Sequence, residues 1–267
     1  MKPLILVTND DGIHAEGLEV LVEAMSGLGE VVVCAPEGER SGSSHAITLH
    51  THLRAHPVRG GWWRVSGTPV DCVYLAIHHL CSRRPDLVVS GVNPGFNLGT
   101  DVFYSGTVGG AAEGFLRGVS AIAVSADRGV DPRWALPVVR DLAHAMLSEP
   151  HRLMLLNVNV PGMLEHAEAT PAQIEALAAK MPVAVTRLGH RVYEDMVEPR
   201  MDPMGRPYYW IGGPPTRGED REGDDTYAVR RGAISVTPLE MNITAPSLGP
   251  TRELLARAGI EVKEDLA

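Results

Sequence analysis

Asn9, Asp10 and Asp11 stand in a row near the start of the sequence, followed by Gly12. Two adjacent carboxylates do little chemistry together without a cation, because like charges repel and burying either alone is costly. With Gly12 relaxing the backbone, both can turn toward one metal ion. The same residues also suit a solvated turn whose aspartate caps the next helix. A second polar stretch, residues 36–46, carries Glu37, Glu39, Arg40, Ser41, Ser43, Ser44 and His45, and by itself reads equally as a hydrophilic surface loop. A third, residues 91–104, carries Asn93, Asn97 and Asp101 and runs into Tyr104-Ser105-Gly106-Thr107. Its Asn and Gly content also fits a loop of unusual backbone dihedrals. Ser105 suits a helix N-cap, and the N–H groups behind it suit an anion such as phosphate. The three stretches offer carboxylate, hydroxyl and amide oxygens. Such a donor set favours Mg²⁺, Mn²⁺ or Ca²⁺ over Zn²⁺, and no Cys/His pattern with zinc spacing competes.

Elements must bring these stretches together. Pro3 to Thr8 is a short continuous apolar run, which reads as a strand buried on both faces. Gly17 to Leu28 has helical apolar spacing, and Glu30 to Ala35 is a second buried strand. This strand–loop–helix–strand opening begins a parallel α/β sheet. Ile47 to Val58 and Trp62 to Val65 have strand character and suggest a hairpin. Thr68 and Pro69 read as N-cap and first residue of a helix to about Leu80. Strands are expected at 86–90, 121–125 and 153–160, and helices at 105–116 and 134–147. Beyond Pro161 the pattern weakens to a helix at 171–180, a strand at 183–188 and a hairpin of 192–197 with 207–211. A flexible loop over 212–225, a last strand at 234–239 and a helix at 251–258 follow. Each polar stretch follows a buried strand, and in an open parallel sheet ligands bind beyond the carboxyl ends of the strands. The three should converge on one crevice.

The chain has 267 residues, 44% of them hydrophobic, enough for a sizeable core. It reads as one α/β domain, a core of about residues 1–188 with an appended C-terminal part, about 189–267, holding the hairpin arm, last strand and helix. Net charge is -9, which is poorly suited to tracking duplex nucleic acid. A small anionic substrate stays open, because one bound cation reverses the local field. The three cysteines, Cys34, Cys72 and Cys81, lie in apolar segments and read as buried thiols of a reducing compartment. No secretory signal pattern opens the sequence and no run approaches a membrane span, so a cytoplasmic protein is expected. Tyr208 to Ile211 are too apolar for a lone exposed hairpin, which suggests self-association.

The blocks "ILVTNDDG", "APEGERSGSSHAIT", "GTPVDCVYLA", "PDLVVSGVNPGFNLGTDVFYSGTVGGAAEG" and "AVRRGAISVTPL" occur in order across nearly the whole chain. In them the sequence resembles the SurE family of survival-protein phosphatases. The resemblance implies a metal-dependent nucleotidase acting on nucleoside 5′- and 3′-monophosphates, and in some members on short polyphosphate. It implies a Rossmann-like three-layer α/β/α sandwich whose C-terminal hairpin and helix are exchanged between subunits of a homodimer or homotetramer. It implies one Mg²⁺ or Mn²⁺ per subunit, with Asp10, Asp11, Ser41 and Asn93 as ligands and Asp10 and Asp11 as the catalytic pair. Asn9, Asn97, Ser105, Gly106 and Thr107 fall on the substrate and phosphate stretch. Two departures stand out: Ala15-Glu16-Gly17 replaces a common Ala-Pro-Gly, and Asn242 stands near a frequent aspartate.

Other readings compete. Phosphatases with an aspartyl nucleophile usually show Asp-x-Asp after the first strand, whereas here the aspartates are adjacent. A dinucleotide oxidoreductase needs a Gly-x-Gly-x-x-Gly that "NDDGIHAEG" does not supply. A nucleotide-binding module without turnover stays open. His14 and His45 are candidate proton donors, and Trp62, Trp63, Phe96, Phe103 and Tyr104 are candidate base-stacking residues. All of them suit ordinary loop or core roles as well.

Overall fold

A computed structural model describes residues 2–163, 168–193, 196–212, 215–216 and 221–260. The first strand, β1 (Leu4–Thr8), is fully buried along its length. Its alternate residues enter two separate apolar cores. Ile5 and Val7 pack with Leu18, Leu21 and Met25 of α1 (Glu16–Ser26). Leu4 and Leu6 pack with Cys72 and Val73 of α2 (Pro69–Leu75) and Ala111 of α3 (Gly106–Leu116). Successive side chains of a strand point to opposite faces, so these two cores are the two sides of a sheet covered by helices. Val139 and Ala143 of α4 (Leu136–Ser148) and Ile174 and Ala178 of α5 (Pro171–Ala178) join the α1 side. The result is the expected three-layer α/β/α sandwich.

Among the described residues the sheet has nine strands. Beside β1 lie β2 (Glu30–Pro36) on one side and β5 (Leu87–Pro94) on the other, both parallel to it. A hairpin of β3 (Ala55–Arg59) and β4 (Trp62–Val65) extends the β2 side. β6 (Ala121–Ala126) and β7 (Leu155–Val160) extend the other in parallel. There β8 (Val183–Val185) is the outer strand, and β13 (Ile234–Leu239), antiparallel to β7, is inserted between β7 and β8. The chain fills one side of β1 before crossing to the other. The crevice between the loops after β1 and β5 is therefore a topological switch point, where ligands bind in folds of this kind.

Several boundaries differ from the sequence reading for local reasons. Residues 47–54 are not strand; the Thr48 N–H and hydroxyl both bond to Asp71, at 2.8 and 2.6 Å, which draws this backbone away from a ladder. Thr68 caps α2 as expected, its hydroxyl accepting from the Asp71 N–H (3.2 Å) while Asp71 accepts from the Thr68 N–H (2.8 Å). The protruding hairpin is β10 (Met196–Met201) with β11 (Pro207–Gly212), four residues later at its start than read. The backbone of β9 (Val192–Tyr193) pairs instead with β12 (Pro215–Thr216). Of the stretch expected to be a flexible loop, residues 213–214 and 217–220 lie outside the described residues. Its end forms α6 (Asp225–Arg230). The last helix is α7 (Gly249–Arg257). Among the described residues no helix is long and apolar enough to cross a membrane.

Candidate metal and phosphate site

The three polar stretches meet. Asp10 and Asp11 after β1, Glu39 and Ser41 after β2, Asn93 at the end of β5, which runs past the expected loop start at 91, and Asn97, Asp101 and Ser105 beyond it line one cleft of about 1090 Å³. Arg128, from the loop after β6, and Met196, Val197 and Ile211 of the hairpin complete its walls.

The β1 turn is built by Asn9. Its amide bonds the backbone of Gly12 at both ends, donating to the carbonyl (3.0 Å) and accepting from the N–H (3.2 Å). Asn9 is fully buried by this role and does not line the cleft. The turn presents Asp10, itself buried, whose Oδ1 accepts from the Thr107 hydroxyl at 2.5 Å. The Asp10 carbonyl accepts from the Arg40 N–H (2.7 Å), tying the second loop to the first. Burial raises the Asp10 carboxyl above its ordinary range, with the Thr107 bond opposing that rise. Burial first, then the neighbouring Asp10 and Glu39 charges, push Asp11 up to about 7. Asp11 Oδ2 is buried and makes no hydrogen bond.

Ser41 is exposed, and its hydroxyl donates to Glu39 at 2.8 Å. The Asn93 amide nitrogen donates to the Gly95 carbonyl (2.6 Å), so its oxygen is the end left for a cation. A buried carboxylate oxygen without a partner beside a second buried carboxylate calls for positive charge. Two carboxylates with hydroxyl and amide oxygens nearby fit a hard divalent ion that keeps several waters. Among the described residues no group of three His, Cys, Asp or Glu side chains is gathered for a metal.

The N-terminus of helix α3 adjoins the aspartates. Ser105 caps it, accepting from the Val108 N–H at 3.1 Å. Gly106 packs directly on Asp10: a Cβ there would stand 2.8 Å from Asp10 Cβ and 2.7 Å from Ser43 Oγ. The helix N-terminus and Asp10 are thus in contact, and a helix N-terminus suits an anion such as phosphate. Asn97 is held by residues that the sequence reading did not single out. Its N–H donates to Asn159 Oδ1 (2.8 Å), its amide nitrogen to Ser125 Oγ (2.8 Å), and its carbonyl accepts from Asn157 (2.8 Å) and Asn159 (3.1 Å). The signal was present: Asn157 and Asn159 are two apart in an otherwise apolar strand, hence on one face.

Thr107 is buried against Asp10 and is not a lining side chain. His14 is exposed and outside the cleft lining, and His45 Nε2 lies 3.1 Å from Glu113 Oε2 of α3. Phe96 and Tyr104 line the cleft. Trp62 is buried in the core with the Arg59 guanidinium 3.8 Å from its ring centre.

The family model for survival protein SurE matches residues 5–195. A 5′-nucleotidase SurE from Geobacter metallireducens is 46% identical over 247 residues, covering 90% of this chain and 92% of that one. Another from Myxococcus xanthus is 49% identical, covering 90% and 88%. The crystal structure of a SurE protein from Aquifex aeolicus superposes with a TM-score of 0.78 at 37% identity, covering 95% of this chain and all of that one.

Proposed function

The chain belongs to the survival protein SurE family, and on that premise we propose how its cleft works. It is a metal-dependent phosphatase that hydrolyses nucleoside 5′-monophosphates. The observation that carries the site reading is the adjoining pair of half-sites: buried Asp10 and half-buried Asp11, whose Oδ2 is unpartnered, packed against a capped helix N-terminus.

Asp10, Asp11, Ser41 and Asn93 hold the cation in this reading, one Mg²⁺ or Mn²⁺ per subunit. When bound, the ion supplies positive charge that stabilises the phosphoryl oxygens. The Gly106 N–H at the start of α3 and the Asn97 amide bind the remaining phosphoryl oxygens and stabilise charge that grows on them. Thr107 keeps Asp10 oriented rather than touching substrate. Asn9 shapes the turn and so sets the angle between the two aspartates. Water is the nucleophile in this scheme. Asp10 is buried and tied at Oδ1, which suits a fixed ligand better than a group that must approach phosphorus in line. One turnover in ¹⁸O-water places label in the released phosphate if water attacks directly. Unlabelled phosphate from that first turnover would mean that a carboxylate attacks instead.

Phe96 and Tyr104 with the hairpin residues Met196 and Val197 form the apolar wall for the nucleoside. We extend the reading to 3′-monophosphates and short polyphosphate, both anionic and small enough for the open cleft. We also read the chain as one domain with a C-terminal arm, and that arm as the contact of a homodimer or homotetramer. Cys34, Cys72 and Cys81 are free thiols, which suits the cytoplasm. The deciding assay is phosphate release from a panel of nucleoside monophosphates with Mg²⁺ or Mn²⁺ and again with a chelator. Release that survives complete chelation, or none with any metal in a folded sample, would overturn the reading.

A further inference from the structure

The loop that carries Asn97 and leads to the α3 N-terminus is gripped from outside the sheet by one carboxylate. Asp225, the first residue of α6, is fully buried. Its Oδ2 accepts from the Gly99 N–H at 2.8 Å. Its Oδ1 accepts from the Gly189 N–H (2.9 Å) and the Thr226 N–H (2.8 Å). One side chain thus joins three segments far apart in sequence: the phosphate loop, the strand-to-arm segment and the last helix before β13. A carboxylate buried at this depth is costly unless its lone pairs are used, and here three N–H groups use them.

The junction is tight. Gly99 has a φ of +53°, and a Cβ there would stand 2.6 Å from the Gly189 carbonyl oxygen. Beside it the Thr100 hydroxyl donates to the Arg191 carbonyl (3.0 Å), and Arg191 pairs with Asp101 at 2.6 Å. Asp101 and Asn97 both line the cleft. The loop is therefore clamped between Asn157, Asn159 and Ser125 on the sheet side and Asp225 with Arg191 on the other.

We propose that Asp225 is a positioning residue for phosphate binding: it touches no substrate but fixes the 97–105 loop, and with it Asn97 and the α3 N-terminus, against the segment that leads into the hairpin arm. This rests on the reading of Asn97 and α3 as the phosphate side of the cleft. The proposed metal ligands lie outside the loop that Asp225 grips. Removing the clamp should therefore loosen phosphate binding without touching metal affinity.

The test uses the full chain with Mn²⁺ present. It measures the KM for a nucleoside monophosphate, the inhibition constant for inorganic phosphate, and Mn²⁺ affinity by calorimetry. Asp225→Asn keeps one acceptor oxygen but sets an NH₂ against a backbone N–H. It should raise KM and the phosphate constant by about 10- to 100-fold, the range for residues that orient a binding group, with Mn²⁺ affinity unchanged. Arg191→Met acts on the partly exposed side of the same clamp and gives a milder shift in the same direction if Asp225→Asn folds poorly. Asn97→Ala serves as the reference. If Asn97→Ala raises the phosphate constant while folded Asp225→Asn and Arg191→Met leave it alone, the clamp proposal is wrong and the phosphate-site reading stands. If Asn97→Ala has no effect either, the phosphate-site reading has failed. A loss of Mn²⁺ affinity as large as the loss of phosphate affinity would also overturn the proposal, since Asp225 would then support the whole cleft rather than this loop.

Discussion

Asp10 and Asp11 owe their chemistry to position more than to type. Asp10 is fixed by Thr107, and Asn accepts the same hydroxyl bond. Asp10→Asn should therefore keep the fold, with an unchanged circular dichroism spectrum. It should lose metal affinity by at least the 10- to 100-fold scale typical of changes around a metal site, with most of the activity. Unchanged turnover in a folded Asp10→Asn sample would remove Asp10 from the site. Asp11 gives a pH prediction. In metal-free protein its folded pKa, about 7, lies above the ordinary carboxylate value. An acid with a raised folded pKa stabilises the fold fully below its unfolded pKa, and that contribution is lost as pH climbs through the window up to about 7. Chelated protein should therefore melt at lower temperature at pH 8 than at pH 5. A divalent ion favours the charged pair and should raise the melting temperature more at pH 8. Scanning fluorimetry on wild type and Asp11→Asn checks this, because the variant should lack this part of the slope.

At the scale of elements, the N-terminus of α3 is pressed onto the end of β1. The contact is a glycine, since any side chain at 106 would stand inside contact distance of Asp10 and Ser43. Gly106→Ala should displace Asp10 or loop 36–46. The overpacking cost is about 1–3 kcal/mol, but the loss of kcat/KM should exceed what that destabilisation explains. Kinetics on the folded fraction together with thermal denaturation separate the two. The same helix shows why one part of the site was readable in advance. Ser105 before a small-residue helix is a local capping signal, and capping obeys local backbone geometry. The grip of Asp225 on Gly99 was not readable, because 126 residues separate the partners and no local rule joins them.

At the scale of the molecule, the hairpin is a described part that the sheet does not support. All described residues of β10 and β11 are exposed, including Tyr209, Trp210 and Ile211. A lone two-stranded hairpin is marginal in water, and a contiguous apolar patch on one marks an interaction surface. We expect Trp210→Glu to shift the protein toward smaller species in light scattering at micromolar concentration while the α/β core still melts cooperatively. An unchanged mass would mean that the arm does not hold subunits together.

The sequence alone settled the layered α/β architecture, because buried parallel strands are apolar runs and α1 and α4 carry their own periodicity. It also settled the family, because the motif blocks run in order along the chain. It placed Asp10, Asp11, Ser41 and Asn93 in polar stretches after three buried strands, and strand polarity requires such stretches to share one edge of the sheet, although Asn93 itself still belongs to β5. Tertiary structure alone decided which oxygens are used and which are left. Thr107 became the partner of Asp10, Asn9 became a turn-former, and the buried Asn157, Asn159 and Asp225 became anchors of the loop that carries Asn97 and Gly99. Those assignments depend on long-range hydrogen bonds in a dry interior, where each polar group must find a partner. The partner is chosen by packing, which no stretch of sequence contains by itself.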